Sequence, residues 1–150
     1  MNDKKEMNNK GINGIYEHKI QYYETDQMKV VHHSNYIRWF EEARTFFLEV
    51  YNMPYHKMEE MGIICPVLSA HAEYKSMSRF GETVQIEVEV IKYTGIKYAI
   101  AYMVRDKETG TVRCTGETWH CFLNEQGKPL SLKRSYPEIH NIFEKMLSEV

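Results

Sequence analysis

Asp26 is followed by a short loop and then by His32-His33-Ser34-Asn35, where a long helical pattern begins. An aspartate with an ordinary pKa near 3.9 is ionised at neutral pH, so it can attack carbon or take a proton from water without further activation. The first amides of a helix have no partner inside it, and the macrodipole behind them favours negative charge. A carboxylate delivered to such an end near Ser34 suits attack on a carbonyl whose oxygen becomes an anion. An aspartate such as Asp26, taken by itself, is more often a loop or capping residue. The side chain of His33 could act as a catalyst or as a positioning group, and Asn35 could hold the loop or touch a ligand. The adjacent pair His32-His33 lacks the i, i+4 spacing of helical zinc ligands, and His18, His56, His71, His120 and His140 are scattered. Tyr36, Trp39, Tyr55 and Met58 could line a pocket, or simply fill the core.

The elements that must position these residues follow from periodicity. On a helical wheel, Arg38, Glu42, Thr45 and Glu49 form one polar stripe, while Tyr36, Ile37, Trp39, Phe40, Ala43, Phe46, Phe47, Leu48, Val50 and Tyr51 fill most of the remaining arc. So wide an arc predicts a helix covered on several sides. Arg44 falls within it and needs a partner, for which Glu41 is in helical reach. Asn52 and Pro54 end the helix, and Tyr55 to Gly62 adds a short second one. Upstream, Glu17 to Thr25 has strand-like content. Downstream, Val84, Ile86, Val88 and Val90 alternate with Gln85, Glu87 and Glu89, as a strand with one buried face does. Thr94-Gly95 breaks it, Lys97 to Arg105 forms another strand, Lys107 to Gly110 reads as a hairpin loop and Thr111 to Leu123 as a long strand. Ser135-Tyr136-Pro137-Glu138 fits a capping box opening a terminal helix. One apolar helix among neighbouring strands predicts an α+β fold, an antiparallel sheet curled around a central helix. Its open edges invite a second copy.

Composition narrows the classes. The 150 residues carry 43% apolar and 13% aromatic side chains, enough for one core, which predicts a single domain over 15–150 preceded by a flexible tail over 1–14. A formal charge of −2 gives no positive field for nucleic acid. Neither a membrane span nor a signal peptide is read, so a cytoplasmic location is expected. Cys65, Cys114 and Cys121 make an odd set without a CxxC pair, read as reduced thiols rather than a disulfide framework or metal site.

The run from Tyr23 to Tyr36, with Thr25-Asp26, a short loop, Val30-Val31 and then His33-Ser34-Asn35-Tyr36, closely resembles the active-site segment of the 4-hydroxybenzoyl-CoA thioesterase family in its acyl-CoA thioesterase branch. The likeness continues through Trp39 to Arg44 and, more loosely, Arg79 to Val84 and Gly116 to Trp119, covering roughly residues 17 to 140. It implies the hotdog fold, homodimers or homotetramers, and hydrolysis of an acyl-CoA to free acid and coenzyme A without metal or organic cofactor. By position, Asp26 matches the family's nucleophile or general base, and the backbone N–H of His33 the donor that polarises the thioester carbonyl. Asn35, Tyr36 and Trp39 become candidate substrate contacts. Glu41 is the rival carboxylate, because other hotdog branches carry theirs on the central helix. Lys29 stands where the family carries Gly, so Lys must tolerate positive φ or reshape the loop. Of three basic positions that meet the nucleotide phosphates in the 4-hydroxybenzoyl-specific branch, aligned with Gly95, Ile96 and Lys97, only Lys97 is basic. Hydrolysis of acyl-carrier-protein thioesters and non-catalytic binding of an acyl thioester or lipid are the alternative readings.

Overall fold

The computed structural model describes residues 15–148, so the expected tail over 1–14 lies outside the described residues. The chain runs β1 (Tyr16–Lys19), a 3-10 turn (Tyr22–Glu24), α1 (Ser34–Val50), α2 (Tyr55–Glu60), β2 (Val67–Tyr74), β3 (Thr83–Tyr93), β4 (Lys97–Asp106), β5 (Val112–Cys121), α3 (Leu132–Ser135) and α4 (Pro137–Ser148). The strands form one antiparallel sheet in the order β1-β3-β4-β5-β2. Its apolar face follows the period of two in the sequence. Ile86 sits opposite Val104, Val88 opposite Tyr102 and Val90 opposite Ile100. Strand β5 extends that face with Cys114, Gly116, Thr118 and His120. Both α1 and α4 pack on it, while the charged alternates Glu87 and Glu89 face out.

Helix and sheet meet tightly at Gly116. The Phe40 ring stacks on Tyr102 at 4.4 Å between centroids and an interplanar angle of 11°. A Cβ on Gly116 would lie 2.3 Å from the Phe40 ring and 2.7 Å from the His71 carbonyl oxygen. Glycine is thus required by packing rather than by a turn. At the other end, Phe143 of α4 packs between Tyr93, Tyr98 and Phe122 and closes the core.

Three expectations need revision, and one strand is added to those expected. The apolar arc of α1 is buried on one broad side only: Tyr36, Trp39, Phe40, Ala43, Phe47 and Leu48 are buried, whereas Ile37 is 36% exposed and Phe46 and Val50 are half-buried. The sheet curls over one side of the helix, and among the described residues nothing covers the other fully. Arg44 makes no ion pair with Glu41 among the described residues and instead hydrogen-bonds His120 across the helix–sheet interface. The terminal helix is not opened by a capping box at Ser135; that residue belongs to α3, which is capped by the Ser131 side chain accepting from Arg134 N–H at 3.4 Å. Strand β2 joins the expected strands at the sheet edge: Leu68 to Tyr74 alternates apolar with polar residues, yet both faces are exposed along nearly its whole length, with Val67 and Leu68 about half exposed.

Candidate active site

The segment around Asp26 is a tight hairpin. Thr25 pairs with Val31, and the Asp26 N–H donates to the Val30 carbonyl at 2.9 Å. The Lys29 N–H donates back to the Asp26 carbonyl, and Lys29 takes φ +65°. A three-residue loop ending in a left-handed residue is a standard way to close such a hairpin, and it normally selects glycine. Lysine therefore tolerates the left-handed conformation here rather than reshaping the loop. The half-buried Asp26 carboxylate accepts from the Met28 N–H at 2.8 Å, which fixes one oxygen within the turn.

The hairpin is tied to its surroundings at both ends. Val30 bridges to Arg79, and the Val31 N–H donates to the carbonyl of the buried Ser78. The Glu24 carbonyl accepts from the His32 N–H and from the Asn35 amide, each at 2.9 Å. The Glu24 carboxylate is 4% exposed and takes three hydrogen bonds: from the Gln21 N–H at 2.8 Å, His18 Nε2 at 2.8 Å and the Trp39 indole N–H at 2.7 Å. Burial by itself would raise its pKa, but these donors outweigh that and hold it below the ordinary carboxylate value. Glu24 is therefore an ionised peg that locks the start of the loop to the first turns of α1.

At the helix start, the Ser34 N–H donates to His32 Nδ1 at 3.2 Å, the Asn35 N–H to the His32 carbonyl and the Tyr36 N–H to the His33 carbonyl. The His33 N–H donates to no group among the described residues. It stands free, at the positive end of a helix over Ser34–Val50, directly after the hairpin that carries Asp26. The exposed His33 ring stacks on His32 at 4.2 Å and meets Tyr74 at 6.0 Å. The Tyr74 hydroxyl donates to the His33 carbonyl at 3.4 Å, bringing the end of β2 to the same place.

The structure thus gathers Asp26, His33, Asn35, Tyr36 and Trp39 at one end of the molecule. Asn35, Tyr36 and Trp39 stand behind the loop and are buried: the Asn35 amide holds loop carbonyls, the Tyr36 hydroxyl donates to Ser78 Oγ at 3.2 Å, and the Trp39 indole is taken by Glu24. Lys97 is not gathered. The hairpin lies by the Thr83 end of β3, whereas Lys97 opens β4 beside Tyr93, about 30 Å away at the usual rise per strand residue. Glu41 is exposed on α1, about 12 Å beyond His33 along the helix. Met58 is fully buried in the core, and Tyr55 lines a separate cavity against Arg44. Glu24, Tyr74 and Ser78 escaped the sequence reading. Only Glu24, inside the Tyr23-Glu24-Thr25-Asp26 run, left any signal there. No group of three or more His, Cys, Asp or Glu side chains that could hold a metal ion occurs among the described residues, and no helix among them is long and apolar enough to cross a membrane.

One antiparallel sheet laid over a long helix, with a carboxylate hairpin leading into that helix, is the hotdog architecture. The chain belongs to the thioesterase-like superfamily, whose pattern matches residues 20–142. A solved structure of a DHNA-CoA thioesterase from Staphylococcus aureus is 33% identical, superposes with a TM-score of 0.84, and the match covers 89% of this chain and 90% of that one. A protein from Aquifex aeolicus described only as hypothetical is 32% identical with a TM-score of 0.78, over 85% of this chain and 97% of that one. A Bacillus subtilis protein provisionally named an acyl-CoA thioesterase is 31% identical over 85% of this chain and 92% of its own length. The enzyme class so defined is thioester hydrolase, in the broad superfamily rather than its 4-hydroxybenzoyl branch in particular.

Proposed function

We propose that the protein hydrolyses an acyl-CoA thioester to a free acid and coenzyme A, with Asp26 as nucleophile or general base and the His33 N–H receiving the oxyanion. The observation that carries this reading is the unused His33 amide at the N-terminus of α1, next to a hairpin that presents an ionisable carboxylate. As nucleophile, Asp26 adds to the carbonyl carbon, the thiolate of coenzyme A departs, and water hydrolyses the resulting anhydride. As base, it takes a proton from water, whose oxygen adds to the same carbon; the C–S bond then breaks, and coenzyme A leaves as a thiolate that takes up the proton. Neither route calls for a metal or organic cofactor. The name of the S. aureus relative puts an aromatic acyl group first among substrates, which also suits the 4-hydroxybenzoyl resemblance.

The active unit is a homodimer or homotetramer. Support comes from β2, an open sheet edge whose Val67 and Leu68 are exposed, followed by exposed Met77 and Phe80 beside the hairpin. Lys97, too far from Asp26 within one chain, is read as a phosphate contact contributed by another copy.

Asn in place of Asp26 keeps the shape and removes the charge, so thiol release across a panel of aryl-CoA and alkyl-CoA substrates should fall by at least about 100-fold, the lower range for losing a general base. Glu41→Gln is the matched control and should retain most turnover. An active Asp26→Asn beside a dead Glu41→Gln would sink the assignment. Tight binding of acyl-CoA by the wild type without thiol release would favour the non-catalytic reading, and turnover of acyl-carrier protein alone the carrier-protein one.

A further inference from the structure

The middle of α1 holds a charge that the fold leaves unanswered. Arg44 is 4% exposed. Its Nη1 lies 2.8 Å from both ring nitrogens of His120, its Nε has no hydrogen-bond partner, and among the described residues no carboxylate pairs with it. His120 cannot supply the missing charge. Burial, and then Arg44 beside it, hold its pKa down at about 3, so the ring is neutral. Its Nε2 lies 2.7 Å from Thr118 Oγ1, which in turn lies 2.7 Å from the Tyr102 hydroxyl. Arg44 can only donate, so one nitrogen of the neutral ring accepts from it. A buried guanidinium facing a neutral acceptor carries a desolvation penalty; among the described residues the Tyr55 ring face and the Glu41 charge at the rim favour the cation, but no carboxylate is paired with it.

Arg44 also opens onto a cavity of about 630 Å³ between α1, α2 and the segment entering β2. Its wall includes Tyr55, Ile63 and Cys65, with the guanidinium carbon 5.5 Å above the Tyr55 ring. The hydroxyls of Tyr55 and of Tyr98 behind it make no hydrogen bond of normal geometry. Burial pushes the Tyr55 phenol and the Cys65 thiol up to about 12, so both stay protonated. Glu41 and Glu59 are exposed at the rim, where water screens them. The floor therefore offers one fixed cation and several unused donors, the chemistry that a carboxylate satisfies, since a guanidinium edge matches two carboxylate oxygens.

We propose that this cavity is a carboxylate-binding site, with the Arg44 guanidinium and the Tyr55 hydroxyl as its anchors. The carboxylate has two sources: a free acid such as thioester hydrolysis releases, or the distal acid group of an acyl chain. His33 and Arg44 stand about 16 Å apart along the helix axis, so a substrate reaching both would need a long chain. The site itself rests on the cavity alone, and only the choice of source rests on the thioesterase reading.

The test is calorimetric titration of the full chain with propionate, hexanoate and glutarate against sodium chloride of equal ionic strength, with no turnover involved. Saturable heat with at least one acid is expected, lost in Arg44→Met and weakened about tenfold in Tyr55→Phe. Because Met removes an unanswered buried charge, Arg44→Met should melt no lower than the wild type. If it fails to fold, Tyr55→Phe decides: binding equal to wild type there overturns the site. Absence of saturable heat with every acid, or unchanged binding in Arg44→Met, overturns it as well. A second arm assigns the source. Selective loss of turnover on acyl-CoAs with a distal carboxylate in Arg44→Met points to substrate, and loss of inhibition by free acid points to product.

Discussion

Helix α1 meets two buried charges with opposite fates, Glu24 packed against its start and Arg44 on the helix itself. At its start, Glu24 and the loop it pins are fully answered: a backbone amide, an imidazole and an indole all donate to one carboxylate. Three turns on, Arg44 has one neutral acceptor and an orphaned Nε, and it faces open space rather than a counter-charge. Completeness separates the two roles. A buried charge whose donors are all supplied by the chain positions its neighbours, whereas one left incomplete waits for a partner from outside.

The largest test of that contrast is Glu24→Gln. The substitution keeps the shape but turns an amide NH₂ toward groups that themselves donate, so stability should fall by roughly 1.5–3 kcal/mol, the range for hydrogen bonds to a charged group. Because Asp26 follows two residues later, kcat should also drop about tenfold or more with KM little changed, the mark of a displaced catalytic group. Urea melts of Glu24→Gln and Arg44→Met side by side decide the matter. If the arginine variant loses more stability than the glutamate one, the distinction between answered and unanswered charge fails.

A smaller effect sharpens the Arg44 side through pH. His120 binds its proton only near pH 3 in the folded chain but near 6.5 once unfolded. Between those values the unfolded state holds the extra proton, so stability rises with pH and falls on acidification by up to about 1.4 kcal/mol per pH unit. Glu24 and Asp106, whose folded pKa values are lowered, add a loss of the same sign only at more acid pH, as each is protonated. Denaturant melts at pH 6.0 and pH 5.0 should therefore show this slope in the wild type. His120→Gln can still accept from Arg44 and donate to Thr118, and it should flatten the slope. Equal slopes would place the proton elsewhere.

What could be read from the chain alone was what is local in it. The alternation of Val84 to Val90 and the apolar spacing from Tyr36 to Leu48 each state a period, and both elements are found. Asp26 was legible because its neighbours fix a loop of set length before a helix. The pegs were not. Glu24 meets Trp39 across 15 positions and Arg44 meets His120 across 76, so no helical or strand period links either pair. Reasoning at i, i+3 along α1 could offer Arg44 only Glu41. The strand β2 states a period too, from Leu68 to Tyr74, but a weak one: two of its apolar positions are alanines, and as an exposed edge it buries neither face.

The smallest expected effect isolates the turn that aims Asp26. Lys29 holds φ +65°, a conformation that costs a residue with a Cβ about 1 kcal/mol or more. Glycine there removes that strain but gives the unfolded chain more freedom, and the two terms oppose each other. Lys29→Gly should therefore raise stability by no more than about 1 kcal/mol, a rise in Tm of roughly 2–4 °C for a chain of this size. The hydrogen bonds that set the hairpin involve the backbone of Asp26, Lys29 and Val30, not the lysine side chain, so kcat should stay within about twofold. Lys29→Ala separates the contributions, since it keeps the strain and should gain nothing in Tm. A raised KM in both variants with kcat intact would show that the exposed ammonium contacts the substrate, which would make the lysine a binding residue held in a strained turn for its charge.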